Sequence, residues 1–142
     1  MKEVYVQRAQ ALRDRGYNCA QAVACTFSAE VGMDEQTLFR MLEGFGGGMG
    51  NHRATCGAVS GAAAIVGLLT SKGSVEAGTK TTTYERIGSL VDAFYEKNKS
   101  LVCREILGED DGIVLQSCDG CVKDAVMLVH ELLHKLDNGN NI

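Results

Sequence analysis

Apolar residues return every three or four positions along nearly the whole chain, and that period is the mark of amphipathic helices rather than strands. Val4, Ala11 and Leu12 set the apolar side of a first helix over residues 3–15, which Gly16 stops. Asn18 is placed to cap a second helix that runs to Val31 and closes at Gly32. Asp34 caps a third, with Leu38, Phe39, Met41 and Leu42 on its apolar face. A Gly/Ala-rich helix is expected over 55–69, a longer one over 82–98, a short one after the cap Ser100, and a last one over 119–136. Ile113-Val114-Leu115 alone has the form of a strand, and it has no partner to pair with. Proline is absent, so glycine does the punctuating. The expectation is an all-α, single-domain helical bundle of about five to six helices, spanning residues 1–142, with a Gly-rich loop at 44–50.

Composition narrows the function classes. The chain has 142 residues, 45% hydrophobic and 23% charged, enough for one domain with its own core. Its formal net charge is -4, and no stretch gathers Lys and Arg into a phosphate-binding stripe, so a nucleic-acid partner is not expected. The start, Met1-Lys2-Glu3-Val4-Tyr5, turns polar too soon for a signal peptide. The most apolar segment, 54–70, is too rich in Gly and Ala to span a bilayer, which takes about 20 strongly apolar residues. A soluble, cytoplasmic protein without membrane insertion is expected.

In that setting the six cysteines, Cys19, Cys25, Cys56, Cys103, Cys118 and Cys121, point to thiol chemistry or metal binding rather than to a disulfide framework. Their positions are informative. Cys19 follows the cap Asn18; Cys56 lies in the first turn of the Gly/Ala-rich helix; Cys103 comes three residues after Ser100; Cys118 and Cys121 flank the start of the last helix. A helix start leaves N–H groups unpaired and carries about half a positive charge. A thiolate there is stabilised, and its pKa falls below the free value of about 8.5. Cys25 lies mid-helix on another face and reads as packing.

Cys118-Asp119-Gly120-Cys121 is a C-x-x-C pair, but no second pair completes a zinc site. Val122 follows it where c-type haem attachment needs His, and no strand precedes it as in a thioredoxin unit. The glycine loop matches neither a dinucleotide fingerprint nor a P-loop. Gly47, Gly48 and Gly57 instead offer backbone N–H groups near Cys56, with His52 and Arg53 as nearby positive charge. His130-Glu131-Leu132-Leu133-His134 matches the zinc-protease pattern, but only eight residues follow it and the domain is small, so it reads as a chance match on an exposed face.

These residues resemble a family described as putative redox-active proteins and named for the pattern C…GCAxxG…C…C. The likeness is carried by Cys19 in Tyr17-Asn18-Cys19-Ala20-Gln21-Ala22, by Gly46-Gly47-Gly48-Met49-Gly50 with Thr55-Cys56-Gly57-Ala58-Val59-Ser60-Gly61, by Cys103-Arg104-Glu105-Ile106-Leu107-Gly108, and by Cys118 with Val122 and Asp124-Ala125 downstream. The resemblance implies an all-helical redox protein in which Cys19, Cys56, Cys103 and Cys118 act together, with Cys121 as the alternative fourth sulfur one helical turn on and Cys25 as an extra. It is also reminiscent of a domain of split-Soret cytochromes that holds an iron–sulfur centre.

Three functions remain open. The four thiolates would bind an iron–sulfur cluster or another metal for electron transfer. Without metal, Cys19, Cys56, Cys103 and Cys118 would be redox thiols exchanging disulfides with a partner protein. In the third, the chain is a helical interaction module whose cysteines only pack. A homodimer would suit the small-residue face.

Overall fold

The computed structural model describes residues 1–139, and among them eight helices and no strand occur. Six are substantial: α1 (Lys2–Asp14), α2 (Cys19–Thr26), α4 (Glu35–Leu42), α5 (Gly57–Thr70), α6 (Lys80–Asn98) and α8 (Cys118–Asp137). Two short ones, α3 (Ser28–Val31) and α7 (Cys103–Ile106), raise the total above the five to six expected.

The helix boundaries follow local chemistry. Gly16 leaves α1 with a φ of 101°, a conformation that costs glycine little. Asn18 and Gln21 form a reciprocal capping box at the start of α2, each amide donating to the other's side-chain oxygen at 2.9 Å. Asp34 accepts from the Thr37 amide at 2.8 Å to start α4, and Ser117 accepts from the Gly120 amide at 3.0 Å to start α8. The second predicted helix is broken: Phe27, with φ −106° and ψ 17°, separates α2 from α3. That kink coincides with full burial of the Phe27 ring, which stacks on Tyr5 with centroids 5.2 Å apart. On α1, Ala9 and Leu12 face the core while Val4 is exposed.

Helix α2 is the centre of the bundle. All eight of its residues are buried, and it packs against α1, α4, α5 and α8. The crossing with α5 is close because Gly61 has no side chain: a β-carbon there would lie 2.6 Å from the Ala20 carbonyl oxygen. Phe27, Phe94, Leu38, Ile65, Val126 and Val129 fill the interior. Helix α6 covers α5 and α8. Its end is tied to α8 by the buried Asp124 carboxylate, which takes Lys97, the Asn98 amide at 3.2 Å and the Gln116 amide at 3.3 Å.

One expectation changes here. Ser100 does not cap α7; its hydroxyl accepts from the Val102 amide at 3.0 Å and donates to Glu105 at 2.6 Å, and Val102 occupies the cap. Ile113-Val114-Leu115, which had no partner to pair with, is an exposed loop. Among the described residues no helix is long and apolar enough to cross a membrane.

Candidate functional site

Five of the six sulfurs come to one place. Cys19 and Cys118 are the first residues of α2 and α8, Cys103 is the first of α7, and Cys121 lies one turn into α8. Cys56 is the N-cap of α5 rather than part of its first turn. An isolated bridge between Thr55 and Val102 sets two of these starts side by side. In it the Cys56 amide donates to the Leu101 carbonyl at 2.7 Å and the Cys103 amide to the Ala54 carbonyl at 3.0 Å. Cys19, Cys56, Cys103, Cys118 and Cys121 then line a cavity of about 180 Å³ with Gly47, His52, Gly57, Ile106 and Leu107. Four of the five thiols are buried and Cys118 is half-buried. Cys25 stays apart, its thiol directed at the Glu35 carbonyl at 3.6 Å. Burial, with Glu35 adding to it, pushes that thiol up to about 12. All six cysteines are free.

Within the cavity the sulfurs fall into pairs. Cys118 acts on Cys19, and Cys121 on Cys56, as hydrogen-bonding neighbours. The proton from Cys118 is the main influence holding Cys19 down to about 6, against the opposing effect of burial. The amides of Gly47 and Ala20 and the Arg13 guanidinium add to it. Cys56 is lowered in the same way by Cys121, helped by the first-turn amides of Ala58 and Val59 and opposed by burial and by the nearby Cys19. The donors are pushed the other way: Cys118 and Cys121 are both raised, first by the bond to their partner and then by burial. In each pair one sulfur is therefore made the more acidic and the other the less acidic. Cys103 has no thiol partner; burial, and then the charges at Cys56 and Cys19, push it up to about 11.

The glycines act on different sulfurs from the one expected. The Gly47 amide serves Cys19, not Cys56. A β-carbon on Gly57 would overlap the Cys19 sulfur and come within 2.8 Å of the Phe45 carbonyl oxygen. One on Gly48 would lie 2.5 Å from the Cys103 β-carbon and 2.9 Å from the Ala54 carbonyl oxygen. Gly47 and Gly48 also have φ of 61° and 56°, a backbone conformation that strains a residue with a side chain, and at Gly48 the space is closed as well. Cys56 draws its own amide donors from α5.

Of the two basic residues expected nearby, His52 lines the cavity and its Nδ1 bonds to the Glu109 carboxylate, while Arg53 is exposed and outside it. The cation that does act is Arg13, whose guanidinium donates to Asp119 at 3.0 Å and to the Tyr17 carbonyl at 3.2 Å. Nothing in the sequence marked it, because Asp119 lies 106 positions away. His130 packs on the Tyr5 ring at 5.1 Å, and His134 bonds to Asn138 at 3.0 Å. Among the described residues no group of three or more His, Cys, Asp or Glu side chains is arranged to hold a metal ion.

The family model described as "Putative redox-active protein (C_GCAxxG_C_C)" matches residues 17–132. The chain belongs to that family. The matched segment contains every cysteine and the whole glycine loop, and leaves out α1 with Arg13. No curated protein and no solved structure matches the chain. Membership makes the protein redox-active in the family's sense, and the sulfur cavity is where the chain concentrates groups able to do such chemistry.

Proposed function

We propose that the chain is a thiol-based redox protein in which Cys19 and Cys118 form an outer dithiol–disulfide couple and Cys56 and Cys121 an inner one. The observation that carries this reading is the pairing itself. Each couple joins a sulfur made more acidic by its neighbour to one made less acidic, so that one is the readier thiolate and the other the readier proton holder. Cys118 is the cavity sulfur most open to solvent, so a substrate disulfide meets the outer couple on that side, where the more acidic Cys19 supplies the attacking thiolate. The inner couple then takes up or supplies electrons by exchange, and Cys103 stays protonated beside it. The partner is a second redox protein carrying a disulfide or dithiol, and the compartment is the reducing cytoplasm.

Thiol counting tests this. The reduced protein has six thiols. Mild oxidation should remove two and then four, and peptide mapping should recover the links 19–118 and 56–121. A protein that keeps all six thiols overturns the reading.

A second reading, an iron–sulfur cluster, is supported by five sulfurs around one cavity with amide donors directed at two of them. The soft donor set suits iron, and the bare glycines at 48 and 57 keep room for the sulfurs. Among the described residues the side chains are not arranged for a single ion. A cluster takes its thiolates on separate iron atoms and needs no common centre. Cys19, Cys56, Cys118 and either Cys103 or Cys121 would hold it, and it would supply one-electron transfer. Protein purified without oxygen should then carry iron and sulfide and absorb visible light; metal-free, colourless protein sinks this second reading.

A further inference from the structure

We infer that the glycine loop and the loop over 109–115 together form a docking surface beside the sulfur cavity. Its occupant is a redox protein whose disulfide lies in an apolar patch ringed by Lys and Arg, and this rests on the dithiol reading above.

Both loops adjoin the cavity wall. The glycine loop and the turn that follows it supply Gly47 and His52 to that wall, and Phe45 and Met49 lie two residues to either side of Gly47. The wall residues Ile106 and Leu107 lead into the second loop. There the Leu115 amide donates back to the Ile106 carbonyl at 2.9 Å, and a β-carbon on Gly108 would lie 2.6 Å from the Ile113 carbonyl oxygen. The two segments meet where His52 bonds to Glu109.

Among the described residues, five of the twelve large apolar side chains left exposed fall on these loops: Phe45, Met49, Ile113, Val114 and Leu115. Ile113 and Val114 are each 63% exposed. Apolar side chains gathered beside a reactive cavity mark a place where another surface sits. Met49 adds an independent sign. It is 53% exposed, and its φ of 62° is a left-handed conformation that strains a residue with a side chain. Strain of this kind persists where function requires it, and methionine adapts well to the surface of another protein.

Charge selects the occupant. Segments 43–53 and 104–115 carry five carboxylates, Glu109, Asp110 and Asp111 in a run among them, against two arginines. With His neutral, that excess is most of the chain's net charge of -4. A second copy docked about a two-fold axis would set these acids against themselves. A partner with an apolar centre and a basic rim matches the surface in both respects.

Three disulfide-linked peptide dimers test the surface. One has Leu and Phe beside the cysteine and Lys at its ends, one has Glu in place of Lys, and one has Ser in place of Leu and Phe. Each exchange turns one peptide disulfide into two thiols as two protein thiols become one disulfide. At low salt the Lys peptide should oxidise the wild type about tenfold faster than the Glu peptide, a gap that closes as salt is raised. It should also outrun the Ser peptide by about tenfold. Asp111→Asn, which keeps an acceptor for the Ile113 amide, should narrow the first gap. Met49→Asn, which suits the left-handed backbone, and the double variant Ile113→Ser with Val114→Ser should close the second. Towards bis(2-hydroxyethyl) disulfide, which has no apolar or charged flanks, these variants should react as fast as wild type. Equal rates for the three peptides, or variants that keep the wild-type preferences, overturn the docking surface and leave the dithiol reading standing. Variants slowed equally towards bis(2-hydroxyethyl) disulfide also overturn it, since the loops then shape the cavity instead. So does a wild-type dimer in sedimentation that the double variant dissociates, which makes the surface a self-contact. If the wild type keeps all six thiols against every disulfide, both inferences fall.

Discussion

The Arg13 guanidinium, near the end of α1, hydrogen-bonds the Asp119 carboxylate at 3.0 Å, in the first turn of the helix that carries Cys118 and Cys121. One contact therefore fastens the α8 start to α1 and brings a positive charge close to Cys19. Arg13→Met should raise the Cys19 pKa above its value of about 6 and shrink the thiolate fraction at pH 6–7. Cys118→Ala should raise it further, since that thiol is the larger influence. Ultraviolet thiolate absorbance against pH reads both, and an unmoved Cys19 titration in Cys118→Ala would dismiss the S–H···S pairing.

Two glycines of α5 should respond to alanine with opposite signs. At Gly57 the new methyl overlaps the Cys19 sulfur, so Gly57→Ala should cost about 1–3 kcal/mol of stability. At Gly67 a β-carbon meets nothing within 4 Å, so Gly67→Ala should add about 0.5–1 kcal/mol by helix propensity. Urea unfolding of the two variants checks the contrast.

Cys25 predicts an alkaline dependence of stability. Its thiol is raised to about 12 in the folded protein, so the folded chain keeps this proton while the unfolded chain loses it near the ordinary thiol value. The contribution is complete below about pH 8.5 and declines as pH rises towards 12. Cys25→Ala should lower stability at neutral pH through lost packing, and remove this part of the slope. The difference in unfolding free energy, wild type minus variant, should therefore fall as pH rises through the alkaline range; parallel curves would refute the assignment.

Cys103 separates the two readings of the site. Raised to about 11 and without a thiol partner, it should be dispensable to disulfide formation. Cys103→Ser should still lose four thiols on mild oxidation, whereas Cys121→Ala should lose only two. If Cys103→Ser instead abolishes bound iron and visible absorption in anaerobically purified protein, the sulfur belongs to a cluster.

Local signals made much of this legible. Gly16, Asn18, Gly32 and Asp34 act on residues within a turn of themselves, and the helix ends they predict are the ones found. The kink at Phe27 was not legible, since it accompanies packing of that ring against Tyr5, 22 positions earlier in the chain. Cys19, Cys56, Cys103 and Cys118 were singled out because helix starts can be read locally. Their partnerships were not legible: whether Cys118 or Cys121 faces Cys19 depends on the rotation of α8, and a spacing of one turn leaves that undecided. The glycine loop was recognisable as irregular backbone, but which sulfur it serves is settled by how it folds over α2 and α7. Arg13 carried no local mark at all.

Cys118 and Cys121 ride on a single rigid rod, whereas Cys19 and Cys56 hang from two different segments. Any slide or roll of α8 changes both sulfur contacts in the same instant. If the two couples close as proposed, drawing one together would tug on the other through α8, and the redox state of the buried couple would be felt at the couple that meets the outside.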